Sequence, residues 1–219
     1  MIDGIRFKVC GLTSLIDAEL ADKVGADCLA FNFHPASPRR VLLAQYEARA
    51  PRLPSRRKVA VLVEPTSAAL ADVVALGFDF YQIHFRHDRP LGEVAGWSTA
   101  VGSDRLWLAP KLPPESDVDP RWLGLARYFL MDTFHAGFGG SGKVGDWGKF
   151  ARHQAAHPKH VWILAGGLNP ENIADALAQS GARFVDVNSG VESAPGVKDP
   201  ERLKQFVLAI HRARTPVTP

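Results

Sequence analysis

Two cysteines among 219 residues are too few for a disulfide scaffold, and no apolar run approaches the roughly 18 residues of a membrane-spanning helix. Charge of one sign is also scarce, since 26 Lys and Arg against 23 Asp and Glu leave a formal +3. A sequence pI near 9.0 makes the chain mildly basic. Its cations are scattered rather than gathered, so nothing favours a nucleic-acid partner. The opening MIDGIRFKVCGL lacks a basic stretch leading into a long apolar one; this argues against a secretory signal and makes the cytoplasm the expected location. Linkers and low-complexity segments are missing too. What is present, 46% hydrophobic and 22% charged residues, is the make-up of a folded globular chain. Its length supports a sizeable core, in one domain or two.

A recurring phrase organises the chain: KVGADCLAFNF at Gly25, ALGFDFYQIH at Gly77, AVGSDRLWLA at Gly102 and QSGARFVDV at Gly181. Each sets a glycine after an apolar-periodic segment, where a left-handed residue ends a helix cheaply, and then begins a strand rich in branched and aromatic residues. The intervals are 52 residues from Gly25 to Gly77, 25 from Gly77 to Gly102 and 104 from Gly77 to Gly181. These are two, one and four units of about 26 residues, the size of a strand plus a helix.

Strands are expected near 5–9, 28–33, 59–63, 80–83, 106–109, 128–131, 161–165 and 184–187, mostly as the short continuous apolar runs of strands buried on both faces. Helix starts are marked by Ser14 with Asp17, a capping-box pattern ahead of Ile16, Leu20 and Val24, and by Asn169-Pro170 and Asp199-Pro200. The fourth and fifth helices are weakly marked. Eight alternating units imply an α/β fold, a single-domain (β/α)8 TIM barrel over 1–213 with a short loose tail at 214–219.

In such a barrel the active face is built from the C-terminal ends of the strands. These ends carry Lys8 and Cys10, Asn32, Gln82 and His84, Asp132, Gly166-Gly167 with Asn169, and Asp186 with Ser189-Gly190. Lys8 and Cys10 are two apart and share a face. One reading is a thiol whose pKa is lowered by the neighbouring ammonium, making it a usable base. The other is a small buried cysteine beside a lysine paired with Asp186. Cys28 begins its strand at the far end of the barrel and is not expected to pair with Cys10. Asp132, ending YFLMD, is either a loop-organising carboxylate or a general acid raised by partial burial.

HAGFGGSGKV places Gly137, Gly142 and Lys143 at P-loop spacing but has Val144 where Ser or Thr should hold magnesium. A glycine-rich lid is the better expectation. The loops LAGGLNPEN and VDVNSGVES suit an anion, with Gly167, Ser189 and Gly190 as backbone donors. His84, His87 and Asp88 are weak metal candidates, because no further ligand cluster accompanies them. Arg39 and Arg40 follow the second strand, where an arginine can grip a carboxylate bidentately.

Taken in order, KVCGLT, FHPASPR, MDT with GGSGK and DW, AGGLNPENI and VDVNSGVE resemble the signature of the phosphoribosylanthranilate isomerase family, covering Lys8 to Glu192. The resemblance implies an Amadori rearrangement of an aminoaldose phosphate to an aminoketose phosphate on the tryptophan pathway, with no metal and no cofactor. Cys10 would be the base acting at sugar C2′ and Asp132 the acid protonating the ring oxygen. Arg39 would face the anthranilate carboxylate. Gly166, Gly167, Asn188, Ser189 and Gly190 would hold the phosphate. Lys8, Gln82, His84, Asp186, Gly139 and Gly140 would complete the surroundings of this phosphosugar. Monomer and homodimer both stay open, with no nucleic acid or membrane as partner.

The chain departs from the family pattern at Phe85, where glycine is usual, at VAVLVEP, at Asn188 and at Ala30. Phe85 is expected to narrow or reshape the mouth at the fourth strand. The alternatives are a sugar-phosphate-binding barrel with another substrate or without catalysis, and the related isomerase of histidine biosynthesis, which would carry paired aspartates in place of Cys10 and Asp132.

Overall fold

The computed structural model describes residues 1–132 and 146–214. The segment 133–145, which holds the expected lid with Gly137, Gly139, Gly140, Gly142 and Lys143, lies outside the described residues, as do 215–219 of the expected tail.

Eight parallel strands close into a barrel in sequence order: β1 (Arg6–Val9), β2 (Cys28–Asn32), β3 (Arg57–Val63), β4 (Phe80–Arg86), β5 (Leu106–Lys111), β6 (Tyr128–Met131), β7 (Val161–Leu164) and β8 (Phe184–Val187). The expected strands are all present. Around them run α1 (Leu15–Lys23), α2 (Leu43–Arg49), α3 (Ser67–Val74), α4 (Leu91–Val101), α5 (Trp147–Ala156), α6 (Ile173–Ser180) and α7 (Pro200–Arg214). A two-stranded hairpin, β9 (Glu192–Ala194) and β10 (Val197–Lys198), is inserted before α7. The last helix runs through Arg214, one residue into the expected tail. Among the described residues no helix is long and apolar enough to cross a membrane.

The four phrase glycines all take positive φ at helix ends, with Gly25 at 87°, Gly77 at 73°, Gly102 at 85° and Gly181 at 64°. Gly102 pairs its φ with an extended ψ of 140°, so it is a sharp exit and not a left-handed cap.

Three local expectations need correction. The fifth unit has no α-helix: a 3-10 turn at Pro120–Trp122 stands in its place. Pro113, Pro114 and Pro120 withhold backbone donors and restrict the residues before them. Buried Val118 and Trp122 cover the barrel instead, and Lys149 Nζ on α5 holds the segment through the carbonyls of Pro113, Pro114 and Ser116.

The face of α1 also differs. Ile16 is 70% exposed, while Ala18 and Ala21 are fully buried, small residues that let the helix lie close to the barrel. Ser14 does cap it, accepting from the Asp17 N–H at 3.1 Å, but Asp17 accepts the Ser14 hydroxyl and the Lys198 N–H and does not close a reciprocal box. Finally, Asn169 organises a turn through the N–H groups of Glu171 and Asn172, and α6 begins only at Ile173. Asp199-Pro200 starts α7 as expected.

Strand alternation sorts side chains into two cores. Phe7, Val9, Ile83 and Phe85 point outward to the helices, whereas Cys10, Ala30, Val61, Trp107, Ala109, Leu130, Ile163 and Phe184 fill the barrel. At its N-terminal end Trp107 packs against Phe80, Tyr128 and Phe184 with ring centroids 5.1–5.4 Å apart. This aromatic plug closes the floor, so ligand access is from the other end.

Candidate active site

The opposite end holds a cavity of about 330 Å³ walled by strand ends and the loops after them. Cys10 follows β1, Asn32 ends β2, Gln82 and His84 stand on β4, Lys111 ends β5 and Asp132 follows β6; all reach this wall. Arg39 and His34 come from the loop after β2, Gly166 and Gly167 from the loop after β7, and Asp186, Asn188 and Ser189 from β8 and beyond.

Lys8 lies beneath the wall, fully buried, where β1–β8 register sets it directly beside Asp186. Lys8 Nζ and Asp186 Oδ1 are 2.7 Å apart, close as charges but poorly aligned as a hydrogen bond. Burial works against the ammonium, yet Asp186 and Cys10 outweigh it and hold Lys8 above the ordinary lysine pKa. Burial pushes Asp186 up, against the pull of Lys8 and Lys198.

The same physics corrects the expectation for Cys10. Lys8 and Lys198 do pull the thiol down, but burial is the larger effect and leaves its pKa raised. Cys10 is 6% exposed, so water solvates the thiolate poorly. Cys28 is a second free thiol, buried and pushed up to about 12, also chiefly by burial. Asp132 is exposed, so partial burial does not describe it.

His84 is brought down to about 3 by burial, reinforced by Lys8, Lys111 and His34. It is therefore a neutral imidazole at physiological pH. With the Gln82 amide nitrogen 2.7 Å from its Nε2, that nitrogen is the acceptor and the ring proton sits on Nδ1. His87 and Asp88 are exposed beyond the end of β4, and among the described residues no group of three or more His, Cys, Asp or Glu could hold a metal ion.

Phe85 does not narrow the mouth. It is fully buried on the outer face of β4, edge-on to Trp97 at 5.5 Å and Trp122 at 5.1 Å. An odd step along the strand from Gln82 and His84 sends it to the helix layer.

The loops after β7 and β8 meet. Ser189 and Gly190 open a 3-10 turn at Ser189–Val191, so their N–H groups are not used within it. The Gly167 carbonyl is turned away by the Asn172 and Asn169 amides, which donate to it at 2.9 and 3.3 Å. Gly190 sits at the junction and not on the cavity wall: a Cβ there would lie 2.0 Å from the Leu168 carbonyl oxygen and 2.8 Å from the Asn169 Cβ. Gly190→Ala is expected to push the two loops apart and destabilise the fold by about 1–3 kcal/mol. Denaturant midpoints of both proteins check this, and an unchanged midpoint would show that the junction yields without cost.

Arg39 is bidentate already, but with a carboxylate of its own chain. Its Nε lies 2.9 Å and its Nη2 2.6 Å from the two oxygens of Glu192. That pair uses one edge of the guanidinium. The remaining donors, on Nη1 and the second Nη2 hydrogen, form another edge. Glu192 and the Lys198 behind it carried no sequence signal beyond their position in GVES and GVKD.

Fold and wall together define a (β/α)8 barrel enzyme with an ionisable cavity at the C-terminal ends of its strands. The family model for N-(5′-phosphoribosyl)anthranilate isomerase matches residues 7–209. A relative of that name from Magnetococcus marinus is 35% identical, covering 96% of this chain and 97% of the relative. The crystal structure of phosphoribosyl anthranilate isomerase from Thermus thermophilus superposes with a TM-score of 0.78 at 30% identity, covering 96% of this chain and all of the other. Another such isomerase, crystallised with reduced 1-(o-carboxyphenylamino)-1-deoxyribulose 5-phosphate, has a TM-score of 0.74 at 28% identity, covering 93% and 96% of the two chains. The chain belongs to the phosphoribosylanthranilate isomerase family.

Proposed function

We propose that the cavity isomerises N-(5′-phosphoribosyl)anthranilate on the tryptophan pathway, with Cys10 as general base and Asp132 as general acid. The observation that carries this reading is the convergence of both groups, Arg39 and the β7 and β8 loops on one cavity wall. The substrate is a small phosphosugar with an anion at each end. Its phosphate lies against the N–H groups of Gly167 and Ser189, with Gly166 and Asn188 alongside, and its carboxylate meets the free edge of Arg39.

Between these anchors the chemistry needs one proton delivered and one removed. Asp132 gives a proton to the furanose ring oxygen, the C1′–O bond breaks, and the nitrogen lone pair forms an iminium. The Cys10 thiolate takes the C2′ proton, leaving an enolamine. Protonation at C1′ and loss of the 2′-hydroxyl proton give the ketose, isomeric with the substrate, and solvent restores both side chains. Asp186 and neutral His84 also line the cavity. Lys8 serves from below by holding Asp186.

Assay of the purified protein with N-(5′-phosphoribosyl)anthranilate tests this directly. Asp132→Asn is expected to lower kcat by about 10²–10⁴-fold with phosphate affinity unchanged, since the side chain is exposed and comes from the end of β6, away from the β7 and β8 loops. Full activity in the variant would remove Asp132 from the acid role. A wild-type protein that binds phosphate without turnover would favour a barrel that has drifted to another substrate.

A further inference from the structure

The two anion subsites come from distant parts of the chain, Arg39 after β2 and Asn188–Ser189 after β8, and one buried ammonium joins them. Register in the hairpin pairs Lys198 on β10 with Glu192 on β9. Lys198 is 3% exposed, and its N–H is fixed by Asp17 Oδ1 of α1 at 3.0 Å. Its Nζ donates to Glu192 Oε1 at 2.7 Å, to Asn188 Oδ1 at 3.0 Å and to the Asn188 carbonyl at 3.3 Å. Three acceptors use all three ammonium hydrogens.

Glu192 in turn grips Arg39 at 2.6 Å. The stem of Arg39 crosses Gly11, the residue after Cys10, where a Cβ would be 2.6 Å from Arg39 Cδ and 2.7 Å from Asn188 Oδ1. Arg39, Asn188 and the Gly11 backbone therefore interlock beside Lys198. A buried ion network is weak support for stability, since an apolar replacement is often as stable. The geometry it imposes is the stronger reason for its presence.

We propose that Lys198 is a positioning residue that couples the two anion subsites, tying Asn188 of the phosphate loop, through Glu192, to the guanidinium of Arg39, so that an anion ordering one side also orders the other. This rests on the substrate reading above. It requires binding at one subsite to favour binding at the other, and the coupling to disappear with the ammonium.

The test measures kcat, KM, and the affinities for inorganic phosphate and anthranilate, each alone and with the other present. In the wild type each fragment is expected to tighten the other about tenfold, within the usual range of coupling between sites. In Lys198→Met the mutual tightening is lost and KM rises about tenfold or more, while kcat stays within about threefold. Glu192→Gln with Lys198→Met removes both charges together, keeps an amide for Arg39, and is expected to behave alike. Persistent tightening in either variant, unchanged KM, or loss of kcat at constant KM overturns the proposal. So does failure of both variants to fold, which makes Lys198 a scaffold residue only. Absence of turnover in the wild type with coupled fragment binding would overturn the assigned reaction and leave the coupling standing.

Discussion

Cys10→Ala is expected to lower kcat/KM for N-(5′-phosphoribosyl)anthranilate by about 10²–10⁴-fold, the usual worth of a positioned general base, while leaving the barrel folded and phosphate affinity intact. The side chain is small and belongs to the same barrel-core cluster as Ala30 and Ala165, so truncation empties little volume. What it removes is the ionisable side chain that the residue after β1 presents to the cavity wall. Burial raises the thiol above its ordinary pKa of 9.0, against the pull of Lys8 and Lys198. The active thiolate is thus a minority species at neutral pH. Below the thiol pKa its fraction grows tenfold per pH unit, while the fraction of a protonated carboxyl acid falls with pH, so the thiol's limb is read in Asp132→Asn, whose residual kcat/KM is expected to climb with pH from neutrality upward. With Cys10→Ala added, that limb should vanish. A variant within a few-fold of wild type, or a pH limb that survives the substitution, would assign the base elsewhere.

Lys8→Met is expected to destabilise the fold by about 3–5 kcal/mol at pH 7, the range for breaking one side of a buried ion pair. Asp186, 9% exposed, would be left with Lys198 as its remaining named cationic influence. The sign of the pH dependence follows. Burial already raises the Asp186 pKa from 3.8, and Lys8 is the largest influence lowering it. Without Lys8 the folded state binds a proton that the unfolded state binds only near pH 4. Stability of the variant therefore rises as pH falls toward that value and is lost as pH rises through the folded pKa. Denaturant midpoints at pH 7 and pH 5 check both parts. Adding Asp186→Asn should recover most of the loss at pH 7, because the uncompensated charge is then gone. An unchanged midpoint in Lys8→Met would contradict the description of Lys8 and Asp186 as a buried ion pair.

The strands were legible because burial on both faces leaves short, uninterrupted apolar runs such as those of β3 and β7, and the Gly25, Gly77, Gly102 and Gly181 phrase marked their spacing. Legibility failed where a local pattern was overridden by packing. Ile16, Leu20 and Val24 form a correct helical stripe, yet the barrel accepts Ala18 and Ala21 because small residues allow closer approach. Proline replaced a helix by a 3-10 turn between β5 and β6, which the weak pattern there foreshadowed without specifying.

At the site, the strand-end rule located Cys10, Gln82, His84, Asp132 and Asp186. It did not supply the balance between Lys8 and desolvation at Cys10, since burial depth is a property of the whole barrel. Phe85 was misjudged as a wall residue although its distance from His84 already places it on the opposite face. Glu192 and Lys198 escaped for a different reason. Arg39 and Glu192 are 153 positions apart, and no local pattern encodes a contact of that separation.

The central claim, that one cavity holds a two-anion substrate between Cys10 and Asp132, is tested most directly by a crystal structure of this protein with reduced 1-(o-carboxyphenylamino)-1-deoxyribulose 5-phosphate bound. The phosphate should lie on the N–H groups of Gly167 and Ser189 and the carboxylate on Arg39, with C2′ roughly 3–3.5 Å from Cys10 Sγ, the distance of a reactive arrangement. A ligand bound in the reverse sense, or with C2′ remote from Cys10, would contradict it.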